Sequence, residues 1–304
     1  AIHDFGFRLD VPAIAGTLWR NPGEVPGNGV DDEGDGYVDD VHGFAFDRGD
    51  DSVNRPRPKA DRPIHGNAVA AIVAGRPALG SEEALGGAPD ARWVAITADG
   101  AIEEAFEWAI LHDVDVYSMS FSIPDLGTFR AHWRRACEQA ALAGLFLVSG
   151  AGNFGEEGSP EFQPVPVQMR VPEDIPLAVF GVVGVGPSGV RPPFSSRGPV
   201  SWDLDDYREG LVDKPDLSTV NQGVPALGAD GRIMARPGGG NSYAGPHLAA
   251  VLALLLEADP DLTPWVARDV LVATAHDLGA PGFDPEYGAG LVDAARALRQ
   301  LRRR

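Results

Sequence analysis

Four polar residues stand where chemistry could be done. Asp4 follows Ala1-Ile2-His3 and precedes Phe5-Gly6, and His65 opens His65-Gly66-Asn67. Asn153 follows Ser149-Gly150-Ala151-Gly152, and Ser242 follows Gly238-Gly239-Gly240-Asn241. Asp, His and Ser in one chain can make a hydrolytic constellation. A serine hydroxyl is a poor nucleophile until a base takes its proton; an imidazole can be that base, and a carboxylate can hold the imidazole in the right tautomer. Taken singly, each residue reads as a cap or a turn: Ser242 is a good N-cap, Asp4 a turn residue, and Asn153-Phe154-Gly155 an ordinary turn. The argument rests on their joint occurrence and order.

The elements around them say where they lie. Trp93–Ile96, Val114–Met119, Leu145–Val148 and Val179–Val185 are short apolar runs that read as strands. Between and beyond them, Ile102–His112 and Phe129–Ala143 read as amphipathic helices, with further helices from Pro264 to about Ala273 and from Leu291 to about Leu301. Continuous apolar strands separated by helices predict an α/β fold with a mostly parallel central sheet covered on both faces. Asn67–Ala74 and Ala244–Leu256 are apolar nearly all round, so both belong inside the protein. Asp4 then ends a strand, Asn153 follows one, and His65 and Ser242 each open a buried helix, which is where such sheets place their sites. Arg48–Pro63, Gly155–Asp174 and Tyr207–Gly239 lack periodicity and read as loops.

Longer stretches carry a resemblance. His65-Gly66-Asn67-Ala68-Val69-Ala70-Ala71 is similar to the histidine motif of the subtilisin-like serine proteases, Gly240-Asn241-Ser242-Tyr243-Ala244-Gly245-Pro246-His247 to their serine motif, and Asp4-Phe5-Gly6 to their Asp-Thr-Gly. Trp19-Arg20-Asn21-Pro22-Gly23-Glu24, Phe194-Ser195-Ser196-Arg197-Gly198-Pro199, Lys214-Pro215-Asp216 and Tyr287-Gly288-Ala289-Gly290-Leu291 also fit, so the resemblance runs from residue 1 to about residue 300. The order Asp, His, Ser is the subtilisin order. The resemblance implies a single peptidase domain, residues 1–304, with the three-layer subtilisin-like fold. It implies a triad of Asp4, His65 and Ser242, with Asn153 as the oxyanion-hole residue. Ser120, Phe121 and Ser122 would bind an extended substrate, with Gly150, Ala151 and Gly152 as the opposite wall. Ser122 stands where the family usually has Gly, which narrows that groove.

Composition sets the outer limits. The chain has 304 residues, 44% of them hydrophobic, enough for a large core, and no apolar run approaches the roughly 20 residues of a membrane span. A net charge of −19 repels nucleic acid and anionic membrane surfaces, so neither is an expected partner. The expected partners are a protein or peptide substrate and a propeptide or N-terminal segment, because relatives carry more chain before the aspartate than the three residues here. The single cysteine, Cys137, can form no intrachain disulfide and reads as a small buried apolar residue. No organic cofactor is implied. An extracellular location is expected from the family alone.

The acidic loop around Asp31, Glu33 and Asp35 alternates carboxylates in a way that suits a hard cation. A solvated acidic turn fits that spacing equally well; calcium, common in the family, favours a site. The family pattern also frays. Ala68 and Ala71 replace a His and a Gly, Asn241 replaces Thr, Tyr243 replaces Met, and Thr219-Val220-Asn221 replaces Ala-Pro-Gly. A catalytically inactive member kept as a binding module is therefore the competing reading, against which stands retention of all four site positions.

Overall fold

The computed structural model describes residues 1–55, 64–124, 126–156, 168–204, 206–234 and 238–304. It contains two compact units, Ala1–Val114 with Pro225–Arg236, and Asp115–Val224 with Pro237–Arg304. The first unit holds β1 (Ile2–His3), α1 (Pro12–Ala15), β2 (Gly43–Ala45), α2 (His65–Ala74), β3 (Ala95–Thr97) and α3 (Ile102–Leu111). Its strands form a parallel sheet with β3 in the middle, pairing Ile2 with Ala95 and Phe44 with Ile96. Every α2 residue after His65 is buried, as a helix apolar nearly all round requires.

The second unit holds β4 (Val116–Met119), α4 (Phe129–Leu142), β5 (Phe146–Gly150), β6 (Val179–Val185), β7 (Val200–Leu204), β8 (Tyr207–Val212), β9 (Leu217–Val220), β10 (Gln222–Val224) and β11 (Gly238–Gly239). One 3₁₀ turn, Asn241–Tyr243, leads into α5 (Ala244–Ala258), followed by α6 (Pro264–Thr274) and α7 (Ala294–Leu301). Strands β4, β5, β6 and β9 pair in that order, all parallel. Phe146 and Val148 of β5 and Phe180 and Val182 of β6 point into a core completed by Leu248, Leu252 and Leu255 of α5 with Val270 and Leu271 of α6. Successive side chains alternate faces, so Tyr117 and Leu147, which pair in register, point the other way. There Tyr117 lies near Cys137 of α4, which is buried as expected. This unit is thus a parallel sheet with helices on both faces, and the α/β expectation holds.

The boundaries differ in instructive places. β5 runs two residues beyond Val148, because Ser149 and Gly150 pair with Gly181 and Val182. α7 begins at Ala294 rather than Leu291, where the Asp293 carboxylate accepts from the Arg296 N–H at 2.8 Å and caps the helix. Tyr207–Gly239, read as a loop, contains β8 to β11. β7 and β8 form an antiparallel hairpin whose β8 is largely exposed and so lacks an apolar signature. That hairpin is held by stacked cations: Arg130 lies 3.9 Å over the Trp202 ring and Arg134 3.9 Å over Tyr207. Of the other two expected loops, 56–63 and 157–167 lie outside the described residues, as do 235–237.

Leu252 is wholly buried between β5, β6 and α6. Leu252→Ala should cost about 2–5 kcal/mol in the denaturant midpoint of this unit, with far-UV dichroism unchanged before the transition.

Candidate active site

The aspartate and histidine meet inside the first unit. β1 delivers Asp4 to the edge of a turn, its N–H bonded to the Ile96 carbonyl at 3.0 Å. One carboxylate oxygen accepts from the Phe5 N–H at 2.8 Å, and the other lies 2.6 Å from His65 Nδ1. The Asp4 side chain is 1% exposed and that of His65 37%, so a buried anion holds a ring that keeps an open edge. Burial pulls the His65 pKa down, but the charge and hydrogen bond of Asp4 outweigh it and the net shift is upward. His3 behaves oppositely: burial lowers it to about 4, so it is neutral beside Asp4 at neutral pH. Asn67, one turn into α2 and fully buried, clamps Arg8 with both ends of its carboxamide, Oδ1 accepting from the Arg8 N–H and Nδ2 donating to the Arg8 carbonyl, each at 2.9 Å. That clamp fixes the chain after Asp4 against the helix that carries His65.

In the second unit Ser242 sits in the 3₁₀ turn that opens α5, entered through Gly240 at φ +116°, a conformation that favours glycine. The turn hangs on Asn241. Its Oδ1 accepts from the Gly184 N–H at 2.8 Å and from Asn221 Nδ2 at 3.1 Å, while its Nδ2 donates to the Gly152 carbonyl and to Ser195 Oγ. Gly150 packs directly on this turn: a Cβ there would lie 2.0 Å from the Asn241 carbonyl oxygen. Asn153 accepts the Asn241 N–H on its Oδ1 at 3.0 Å. Because a backbone N–H must meet an acceptor, that bond turns the Asn153 amide so that Nδ2 is the group left to donate.

Ser120, Gly150 and Gly152 also converge on this turn, and Ser122 lies beside Gly152. Ser120 Oγ donates to the Ser242 carbonyl at 2.9 Å, and Ser122 Oγ donates to Glu173 Oε1 at 2.8 Å. Phe121 is half-buried and packs edge-on to Trp133, with ring centroids 6.4 Å apart. Three side chains that organise the site were not singled out from the sequence: Asn67, Asn221 and Glu173. The signal for Asn221 lay in the departures themselves, since Asn221 and Asn241 both replace smaller family residues and bond to each other. Gly184 leaves the room, for a Cβ there would lie 2.0 Å from Asn221 Cγ.

The acidic loop divides into two groups whose possible ligand atoms lie within 4.8 Å of one another: Glu24, Asp31 and Glu33, and Glu33, Asp35, Asp40 and His112. Glu33 is shared, and Asp31 and Asp35 fall on different sides. The first group offers only carboxylate oxygens, the donor set of a hard cation. Glu24 is 4% exposed, and its Oε2 is buried without a hydrogen-bond partner. Burial and the neighbouring Glu33 raise its pKa to about 7, the mark of acids crowded without a compensating charge. These residues fit a calcium ion. In the second group Asp40 is already engaged by Trp108 Nε1 at 2.6 Å and Asn21 Nδ2 at 2.7 Å.

Glu173 is fully buried, and burial raises its pKa well above the usual carboxylate range. The folded state therefore holds this proton more tightly than the unfolded chain does. Its contribution to stability is complete below the ordinary Glu pKa of ~4.3 and is lost as pH rises toward the folded value. Glu173→Gln, which cannot ionise, should flatten the fall of Tm with rising pH above about 5; an unchanged slope in a thermal-melt series would contradict this.

Comparison with known proteins places the chain as a whole. The profile of the Subtilase family matches residues 1–290. Mycosin-1 of Mycobacterium tuberculosis is 28% identical over 362 residues, covering 95% of this chain and 78% of that protein. Subtilisin E of Bacillus subtilis is 30% identical over 274 residues, covering 86% of this chain and 64% of that protein. The subtilisin-like protease SBT6.1 of Arabidopsis thaliana is 29% identical over 255 residues, and the match spans 22% of its length. A crystal structure of MycP1 with its N-terminal propeptide removed shares the fold, with a TM-score of 0.59 at 23% identity, covering 77% of this chain and 79% of that one.

Proposed function

The chain belongs to the subtilase family, and from that membership we propose that it is a serine endopeptidase working through an acyl-enzyme on Ser242. The observation that carries the reading is the pairing of a buried Asp4 carboxylate with His65 Nδ1 at 2.6 Å. That bond puts the proton on Nδ1 and leaves Nε2 as the basic nitrogen. In the proposed reaction Nε2 takes the Ser242 Oγ proton as the oxygen attacks the substrate carbonyl, and returns it to the departing amine. Water then repeats the attack on the acyl-enzyme. The developing oxyanion is met by Asn153 Nδ2 and the Ser242 N–H, the first oriented by the Asn241 N–H bond to Oδ1. Substrate lies extended along Ser120, Phe121 and Ser122, with Gly150, Ala151 and Gly152 opposite. A propeptide partner and an extracellular location are extended to this chain by family likeness. The reading of residues 1–304 as one peptidase domain is likewise extended by family likeness.

Activity on a protein substrate should vanish in Ser242→Ala. Because neutral His65 is the base, kcat/KM should fall on the acid side with an apparent pKa above the ordinary ~6.5. An acid limb below 6.5 would remove Asp4 from its role. Asn153→Ala should lower kcat about 10²–10³-fold with little change in KM, the loss seen for the corresponding side chain in a subtilisin. A loss confined to KM would assign Asn153 to substrate binding instead.

Calcium would be held by Glu24, Asp31 and Glu33 and would supply the positive charge that this loop lacks. Saturating Ca²⁺ should raise Tm, a chelator should reverse the rise, and Glu24→Gln should abolish it. Calorimetry without a binding isotherm, together with a Tm indifferent to chelation, would end the assignment.

A further inference from the structure

Two strands leave the sheet side by side next to Ser242. β4 and β5 pair up to Met119 and Ser149. Beyond that pair, Ser120 bonds Ser242 through its hydroxyl, and its carbonyl accepts from Ser242 Oγ at 3.4 Å. Gly152 accepts from the Asn241 amide. Three residues past the last pair on each strand stand Ser122 and Gly152, the two walls of the cleft in the peptidase reading on which this inference rests.

The space at Gly152 is filled. A Cβ placed on Gly152 would lie 2.8 Å from Glu173 Oε1, 3.1 Å from Ser122 Oγ and 3.1 Å from the Phe154 ring. The Ser122 hydroxyl and the Arg170 N–H both donate to Glu173 Oε1, at 2.8 and 3.0 Å, and Glu173 has 0% of its surface exposed. The carboxyl therefore acts as part of the wall, out of reach of water. A subsite that ended in an open acidic floor would leave such a carboxyl at least partly wet.

We propose that Ser122 and Glu173 form a plug that closes the subsite for the side chain preceding the scissile bond, restricting it to Gly, Ala or Ser. A larger side chain could enter only by breaking the Ser122–Glu173 bond and leaving the buried carboxyl without its hydroxyl partner, a penalty that substrates with small side chains never meet. Ser122 blocks the cleft directly; Glu173 acts through Ser122 by fixing its rotamer.

The test is a set of peptides differing only at that residue (Ala, Phe or Lys), assayed with the wild-type protein, Ser122→Gly and Glu173→Gln. Wild-type kcat/KM should favour Ala at least tenfold over Phe and Lys. Ser122→Gly should raise the Phe/Ala ratio tenfold or more, whereas Glu173→Gln, whose carboxamide oxygen can still accept from Ser122, should keep the preference for Ala. Wild-type protein that cuts the Phe peptide as readily as the Ala peptide would overturn the plug, as would an unchanged ratio in Ser122→Gly. A Lys preference lost in Glu173→Gln would also overturn it, by making Glu173 a cation acceptor. Cleavage without an Ala preference sinks the plug alone. No cleavage, with Ser242 also inert to a fluorophosphonate, sinks the peptidase reading and the plug together.

Discussion

A carboxamide buried away from water must find partners for both its ends, and Asn241 does so with four separate segments of its unit. Gly152, Gly184, Ser195 and Asn221 all bond its side chain, while its own N–H goes to Asn153. Leaving a buried polar group unmatched costs about 1–3 kcal/mol, so no one of these segments can shift without a penalty. The turn that carries Ser242, the loop that carries Asn153 and the ends of β5, β6 and β9 are held in register by one side chain. Small residues make this possible: Gly150 and Gly184 admit groups that any Cβ would displace.

The first unit solves the matching problem with charge. Asp4 is an anion with almost no exposed surface, and it is tolerated because a backbone N–H and the His65 ring share its two oxygens. The same pairing raises the affinity of His65 for a proton, which is what the proposed base role requires. Asn67 plays here the part that Asn241 plays in the second unit, a buried amide that fastens a helix start to a neighbouring loop.

Much of this was legible in the sequence. Apolar runs marked β6 to the residue and placed α2 and α5 within a few, because burial on all sides leaves a continuous signature; α4 was placed by its amphipathic period. Asp4, His65, Asn153 and Ser242 stood out by type, order and motif. The strands within 207–239 were not legible: β8 is exposed and polar, and β9 is only four residues of mixed character. Asn241 and Asn221 registered only as departures from a pattern, since a sequence shows two replacements but not that they touch. Glu173 gave no signal at all. A lone Glu in a sequence reads as solvated, and only packing reveals that it is sealed behind Ser122 and Gly152.

The central claim is that Ser242 is an activated nucleophile, and a fluorophosphonate probe read by intact mass and peptide mapping tests it most directly. One adduct per chain on Ser242, absent in Ser242→Ala and slowed in His65→Ala, is the predicted result. Folded protein that takes up no probe, or takes it up on another residue, would contradict the account and favour a subtilase fold retained for binding.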